Sequence, residues 1–247
     1  MPKPEYRNPS SHSSAILHDA SLHPLLHSFL ACTSPSLKIC GVTNPAEADQ
    51  LAQLGIDALG INFWPESRRY CPLNTAREFL PSLQDRILRV GVFVNAEPDL
   101  PRSLLSSGLI DVAQFHGDED LAYCNAFAQE GLPFFKAIGV EHADDLSTAS
   151  RYHANGILLD AHAPGVYGGT GRVIDWKMVA GFIGEQSTPP VILAGGITPE
   201  NAAEALLTSR ACALDVASGA ESSPGTKDFS KVSSLLETVC SLRDNAD

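Results

Sequence analysis

Cys40 closes the short apolar run "LKIC" and is followed at once by Gly41, while Asp160 closes a second run, "GILLD". A thiol in the middle of an apolar run is inert packing, but one at the last position before a turn faces whatever the turn encloses. As a thiolate it can take a proton, and an aspartic acid projecting from the far side of the same mouth can give one. Two such groups acting on different atoms of one bound molecule form a proton-transfer pair. Each alone has a plainer reading, the cysteine as small-residue packing and the aspartate as a loop cap.

Other residues in the same kind of position suit anions. Glycines gather after the last three apolar runs: Gly169 and Gly171 in "PGVYGGTG", Gly195 and Gly196 in "AGG", and Gly219 beside Ser218 in "SG", with Gly225 beyond. Without a Cβ, glycine lets backbone N–H groups approach an anion closely, and three such loops together point to a phosphate grip. The segment "FWPESRRY" offers Arg68 and Arg69. A guanidinium can hold a carboxylate through two parallel hydrogen bonds, where lysine is only a point charge; a solvated surface is an equal alternative for this pair. His116, in "AQFHGDED", reads equally as a structural histidine or a ligand contact. Asp215, in "ALDVASG", reads as an orienting group rather than a proton carrier. Lys38, on the same strand face as Cys40, either supplies positive charge to the thiol or pairs with a carboxylate such as Asp215.

The elements that must position these residues are legible as a repeat. From Leu37 onward the runs "LKIC", "ALGINF", "RVGVFV", "DVAQFH", "FFKAI", "GILLD", "PVILAGG" and "ALDVASG" recur, most followed by a turn and a helix-like segment. Strands alternating with helices give a parallel sheet. Eight units in about 210 residues predict a closed (βα)8 barrel, whose reaction site lies at the carboxyl ends of the strands. Asn44-Pro45 opens the first barrel helix, Gly55 closes it, and Thr198-Pro199-Glu200 opens the seventh. Residues 1–36, rich in Ser, Pro and His, form an N-terminal arm outside the barrel domain of residues 37–247. Ser21–Ala31 is predicted as a short amphipathic helix, with Leu22, Leu25, Leu26 and Phe29 on one face and Pro24 in its first turn. Asp19, His23 and His27 share a helical spacing, but Pro24 interrupts it, and a solvated face is the expectation rather than a metal site.

Composition excludes several classes of function. The chain has 247 residues, 17 Lys and Arg against 29 Asp and Glu, and a net charge of −12, which leaves no broad basic surface for nucleic acid. The six cysteines include no CxxC pair, so the expectation is free thiols in a reducing, cytoplasmic setting without a disulfide framework. No apolar run approaches the ~18–20 residues that span a bilayer.

The motifs taken in order, "KICGVTN", "FWPESRRY", "RVGVFVN", "AQFHGDE", "KAIGV", "LLDA", "GGTGRVIDW", "LAGGITPEN", "LDVASGAE" and "PGTKD", run from Lys38 to Asp228. Through them the chain resembles the phosphoribosylanthranilate isomerase family of tryptophan biosynthesis. The resemblance implies the Amadori rearrangement of N-(5-phosphoribosyl)anthranilate, with Cys40 as general base, Asp160 as general acid and Arg69 on the anthranilate carboxylate. It implies a small phosphorylated substrate, no metal or organic cofactor, no membrane partner, and a monomer or homodimer. Three positions depart from the family pattern: Ala217 replaces a small polar residue, Phe115 a leucine, and Asn62 an apolar residue. Other phosphosugar barrels fit less well, because one uses a carboxylate where Cys40 stands and another needs a further Lys/Glu set. A non-catalytic phosphate-binding scaffold would have lost the acid or the base, and neither is lost.

Overall fold

Each of the eight apolar runs forms a strand: β1 (Ser36–Cys40), β2 (Ala58–Asn62), β3 (Leu88–Phe93), β4 (Val112–Phe115), β5 (Phe134–Val140), β6 (Gly156–Ala161), β7 (Val191–Leu193) and β8 (Ala213–Val216). They pair in parallel in chain order, and β8 returns to β1 to close the barrel. The computed structural model describes residues 23–161, 174–185 and 188–244. A helix, α1 (Pro24–Phe29), precedes the barrel. Crossovers are carried by α2 (Pro45–Leu54), α3 (Leu73–Phe79), α4 (Asp99–Ser106), α5 (Leu121–Gln129), α6 (Trp176–Ile183) and α7 (Ala202–Ser209), and α8 (Phe229–Arg243) follows β8. Between β5 and β6 the crossover is a 3-10 segment, Ala143–Tyr152, instead of an α-helix.

Local chemistry sets these boundaries. The Asn44 side chain accepts from Glu47 N–H at 2.9 Å and Pro45 occupies the first turn of α2, while Gly55 stops it at φ 80°, a left-handed conformation that costs glycine little. The seventh crossover helix starts later than its Thr-Pro-Glu signal. A turn carries residues 199–201, in which Ala202 N–H reaches Thr198 O, and α7 begins at Ala202.

Strand side chains alternate between two apolar layers. Leu37, Ile39, Leu59, Ile61, Leu159 and Leu214 pack outward against the helices, whereas Ala58, Leu88, Val90, Val112, Leu158 and Ala213 pack inward. Burial on both faces explains why the runs are almost continuously apolar.

The inner layer includes residues from the arm. Leu26, Phe29 and Leu30, at 0–1% exposure, insert among the inward side chains, with the Phe29 ring 5.9 Å from that of Phe135. A Cβ on Gly156 would stand 3.2 Å from Leu30, so the missing methyl leaves room for the insertion. The amphipathic face is thus the part of the arm that seals the barrel floor. His23 caps α1 by accepting from Leu25 N–H and meets Asp85 at 3.2 Å; His12, His18 and Asp19 lie outside the described residues. Phe29→Ala is expected to destabilise the protein by about 3 kcal/mol, measured by denaturant unfolding, because the surrounding barrel cannot collapse onto the space.

The expectation of free thiols throughout is corrected at one pair. Cys32, just past α1, and Cys212, just before β8, are joined by a disulfide across 180 residues, while Cys40, Cys71, Cys124 and Cys240 are free. No spacing motif announces the pair because closure of the barrel and seating of α1 bring it together. No helix among the described residues is long and apolar enough to cross a membrane.

Candidate active site

The inward parity that builds the floor from apolar residues brings polar ones to the opposite end. Cys40 of β1, Asn62 of β2, Gln114 of β4, Asp160 of β6 and Asp215 of β8 line one cavity, open to solvent at the carboxyl ends of the strands. Arg69, His116, Gly195, Gly196 and Ser218 line it from the loops that follow. Gly169 and Gly171 lie outside the described residues. Gly219 is not on the cavity wall; a Cβ there would stand 1.9 Å from Ile197 O, so its bare backbone is what lets the loop after β8 close against the loop after β7. Gly225 lies in the turn of a hairpin, β9 (Glu221–Ser223) and β10 (Thr226–Lys227), and its N–H donates to Glu221 at 3.2 Å.

Around Cys40 the structure resolves the two readings of Lys38 in favour of both. In register with Asp215 across β1 and β8, Lys38 donates to its carboxylate at 2.8 Å, and its charge acts on the nearby Cys40 thiol. Burial opposes the charge on Lys38, but Asp215 and Cys40 outweigh it and hold the lysine above its ordinary value. A Cβ on Gly60 would meet Cys40 Sγ at 2.7 Å and Lys38 Nζ at 3.0 Å, so glycine at this point of β2 leaves space for both. Burial first and Asp215 second push the Cys40 thiol up; Lys38 and Lys227 pull it down without cancelling the rise. The resting group is therefore a thiol, and nearby positive charge is what makes its ionisation accessible.

Across the cavity, Asp160 Oδ1 accepts from Ala161 N–H at 2.8 Å and Oδ2 lies 3.5 Å from His116 Nε2. Gly195, at φ 80°, passes beside this carboxylate, where a Cβ would stand 2.7 Å from Oδ1. The Gln114 amide lies 2.8 Å from His116 Nδ1; with its nitrogen donating there, the ring hydrogen sits on Nε2 and faces Asp160. His116 thus belongs to the surroundings of the aspartate.

Arg69 sits beside Gly41, whose Cβ would stand 2.3 Å from the arginine Cδ and whose φ is 78°. Its guanidinium grips Glu221 through Nε at 2.9 Å and Nη2 at 2.7 Å. Asn62 accepts from Trp64 N–H at 2.9 Å, which turns the chain after β2 toward the arginine loop.

Glu221 and Lys227 were missed from the sequence. Both are 5% exposed, and Lys227 Nζ lies 2.8 Å from Glu221 and 2.5 Å from Cys40 O. Their stretch, "ESSPGTKD", reads as a polar loop, and the one available signal was that it lies inside the motif string quoted above. Among the described residues there is no group of three or more His, Cys, Asp or Glu side chains able to hold a metal ion.

The model of a family described as N-(5'phosphoribosyl)anthranilate (PRA) isomerase matches residues 37–238. N-(5'-phosphoribosyl)anthranilate isomerase of Acidithiobacillus ferrooxidans is 43% identical over 205 residues, spanning 82% of this chain and 96% of that protein. A crystal structure of phosphoribosyl anthranilate isomerase from Thermotoga maritima superposes with a TM-score of 0.76 at 34% identity, covering 84% of this chain and 100% of the other. Another phosphoribosyl anthranilate isomerase structure, in complex with reduced 1-(o-carboxyphenylamino)-1-deoxyribulose 5-phosphate, superposes at 0.74 with 33% identity over 84% of this chain and 100% of the other. Cys32, α1 and the floor they build precede the matched residues.

Proposed function

The chain belongs to the N-(5'-phosphoribosyl)anthranilate isomerase family, and from that premise we propose that Cys40 is the general base and Asp160 the general acid of its reaction. The enzyme catalyses the Amadori rearrangement of N-(5-phosphoribosyl)anthranilate to 1-(2-carboxyphenylamino)-1-deoxy-D-ribulose 5-phosphate in L-tryptophan biosynthesis.

The observation that carries the assignment is a shared cavity: a thiol at the end of β1 and a carboxyl at the end of β6 face one space. Asp160 as the acid gives its proton to the furanose ring oxygen, and the C–O bond opens to an iminium. The positive nitrogen draws electrons from the adjacent carbon and acidifies its C–H. Cys40 as thiolate removes that proton, the electron pair neutralises the iminium as an enolamine, and the thiol returns the proton at C1′ while the C2′ hydroxyl gives up its own to solvent, which leaves the ketone. The substrate's own nitrogen is the electron sink. Lys38 and Lys227 stabilise the thiolate, and Asp215 holds Lys38 in place. Arg69 receives the anthranilate carboxylate, and the loops carrying Gly195, Gly196 and Ser218 receive the phosphate end.

The test follows the loss of substrate fluorescence in the purified full chain across pH. The sign follows from the thiol: with its pKa raised, little thiolate exists at neutral pH, so kcat/KM climbs as pH rises toward that pKa. Turnover with a flat profile over the neutral and mildly alkaline range would remove Cys40 as the base.

A further inference from the structure

Glu221, a buried charge that the mechanism leaves without a role, stands with Lys227 between its two ends. Glu221, its side chain 3% exposed, takes Nε and Nη2 of Arg69 and also Lys227 Nζ; Lys227, with a fully buried side chain, reaches on to the backbone oxygen of Cys40. Burial would raise the Glu221 pKa, but hydrogen bonding to Arg69 and the charge of Lys227 hold it below the usual carboxylate range. A carboxylate so placed is ionised, and its fork-to-fork contact locks the plane of the guanidinium.

A guanidinium has five N–H donors, and Glu221 occupies one edge of it. The Nη1 side is not used by Glu221 and belongs to the part of Arg69 that a second carboxylate can meet. Arg69 itself lines the cavity, with its side chain 16% exposed. An unsupported arginine would spread its fork over many rotamers; one clamped along Nε and Nη2 presents a fixed face.

We propose that Glu221 is a positioning residue of the reaction: it aims the Nη1 side of Arg69 at the substrate's ring carboxylate and, through Lys227, ties that end of the site to the strand end carrying Cys40. The inference rests on the reading of Arg69 as the carboxylate contact. The charged groups around Cys40 are Lys38 on its own strand, Asp215 on β8, Lys227 on β10, Glu221 on β9 and Arg69 after β2, with Asp160 and His116 across the cavity. Two carboxylates against three cations leave the cluster adjoining the thiol with net positive charge before substrate enters. Removing Glu221's charge adds to it, which favours the thiolate.

The experiment measures binding of reduced 1-(o-carboxyphenylamino)-1-deoxyribulose 5-phosphate and of its analogue lacking the ring carboxylate, to the full chain and to Arg69→Met, Glu221→Gln and Glu221→Asp. Iodoacetamide labelling of Cys40 against pH is recorded alongside. If Arg69 meets the carboxylate, Arg69→Met weakens the first ligand by about 30-fold, as loss of a charge-assisted pair does, and spares the second. Glu221→Gln is then expected to weaken the first ligand selectively by about tenfold and to move the labelling midpoint to lower pH, while Glu221→Asp keeps that midpoint and recovers part of the binding.

A purely structural glutamate would not separate the two ligands or shift the thiol. Should Glu221→Gln bind both as the native chain does, with labelling unmoved while Arg69→Met discriminates, the proposal is overturned and the role of Arg69 stands. Equal weakening of both ligands by Arg69→Met overturns the reading of Arg69 and the proposal with it. If Glu221→Gln does not fold, Glu221→Asp carries the test, with selective loss of the carboxylate ligand supporting the proposal and unaltered binding refuting it.

Discussion

Cys40→Ala and Asp160→Asn should each lower kcat by about 10³-fold while leaving affinity for the reduced product analogue nearly unchanged. General acid–base groups contribute ~10²–10⁴-fold when they act at the transition state without holding the ground state. Alanine at 40 leaves Lys38 paired to Asp215, because that contact lies two residues down the strand and does not use the thiol. Asparagine at 160 keeps an oxygen to accept from Ala161 N–H but has no acidic proton to give. Steady-state fluorescence decay and calorimetric titration of the analogue separate the two quantities. A Cys40→Ala enzyme within a few-fold of native turnover would transfer the base to another residue. Loss of affinity in step with loss of rate would mean that these side chains build the pocket instead of working in it.

A second large effect concerns stability. In the chain-entropy account, a bond closing 180 residues restricts the unfolded chain by about 5 kcal/mol, so reduction or Cys32→Ser should lower unfolding free energy by up to that amount. At about 2–4 °C per kcal/mol for a chain of this size, the melting temperature would drop by roughly 10–20 °C. Catalysis measured well below the melt should survive, because Cys32 is bonded to Cys212 just before β8 and Cys40 opens at the mouth at the other end of the barrel. Thermal unfolding of native, reduced and Cys32→Ser/Cys212→Ser protein decides the matter. Coincident melts in all three would show that the linkage adds nothing to stability in solution.

The barrel was legible because eight apolar runs alternate with turns and helical signals, and the site was legible because barrel chemistry collects at strand ends. Cys40 and Asp160 were singled out as candidates by position, the Arg68-Arg69 pair and His116 by residue type in the following loops, and Arg69 within that pair by the resemblance alone. The disulfide was not legible, since Cys32 and Cys212 are neighbours only once β8 lies beside β1 and α1 is seated beneath. The apolar face of α1 was visible in the sequence, but its partner, the barrel interior, is assembled from eight separate strands. Glu221 and Lys227 escaped notice for a related reason. Their burial comes from a hairpin whose Lys227 N–H is fixed to Glu47 of α2 at 3.0 Å, far away in the chain. Asn62, an oddity by pattern, proved to serve the turn that delivers the arginine loop.

The alternation of strand side chains gives the barrel wall something like a reading frame of two letters. On β1, Lys38 and Cys40 fall in one frame and Leu37 and Ile39 in the other. Deleting a single residue early in that strand would therefore do more than shorten it: it would put leucine and isoleucine at the mouth and drive an ammonium and a thiol into the oily layer beneath the helices. Such a frameshift in space leaves composition almost untouched and erases the site completely, so a relative can drift widely in what its helices contain and still not tolerate one lost position in a strand.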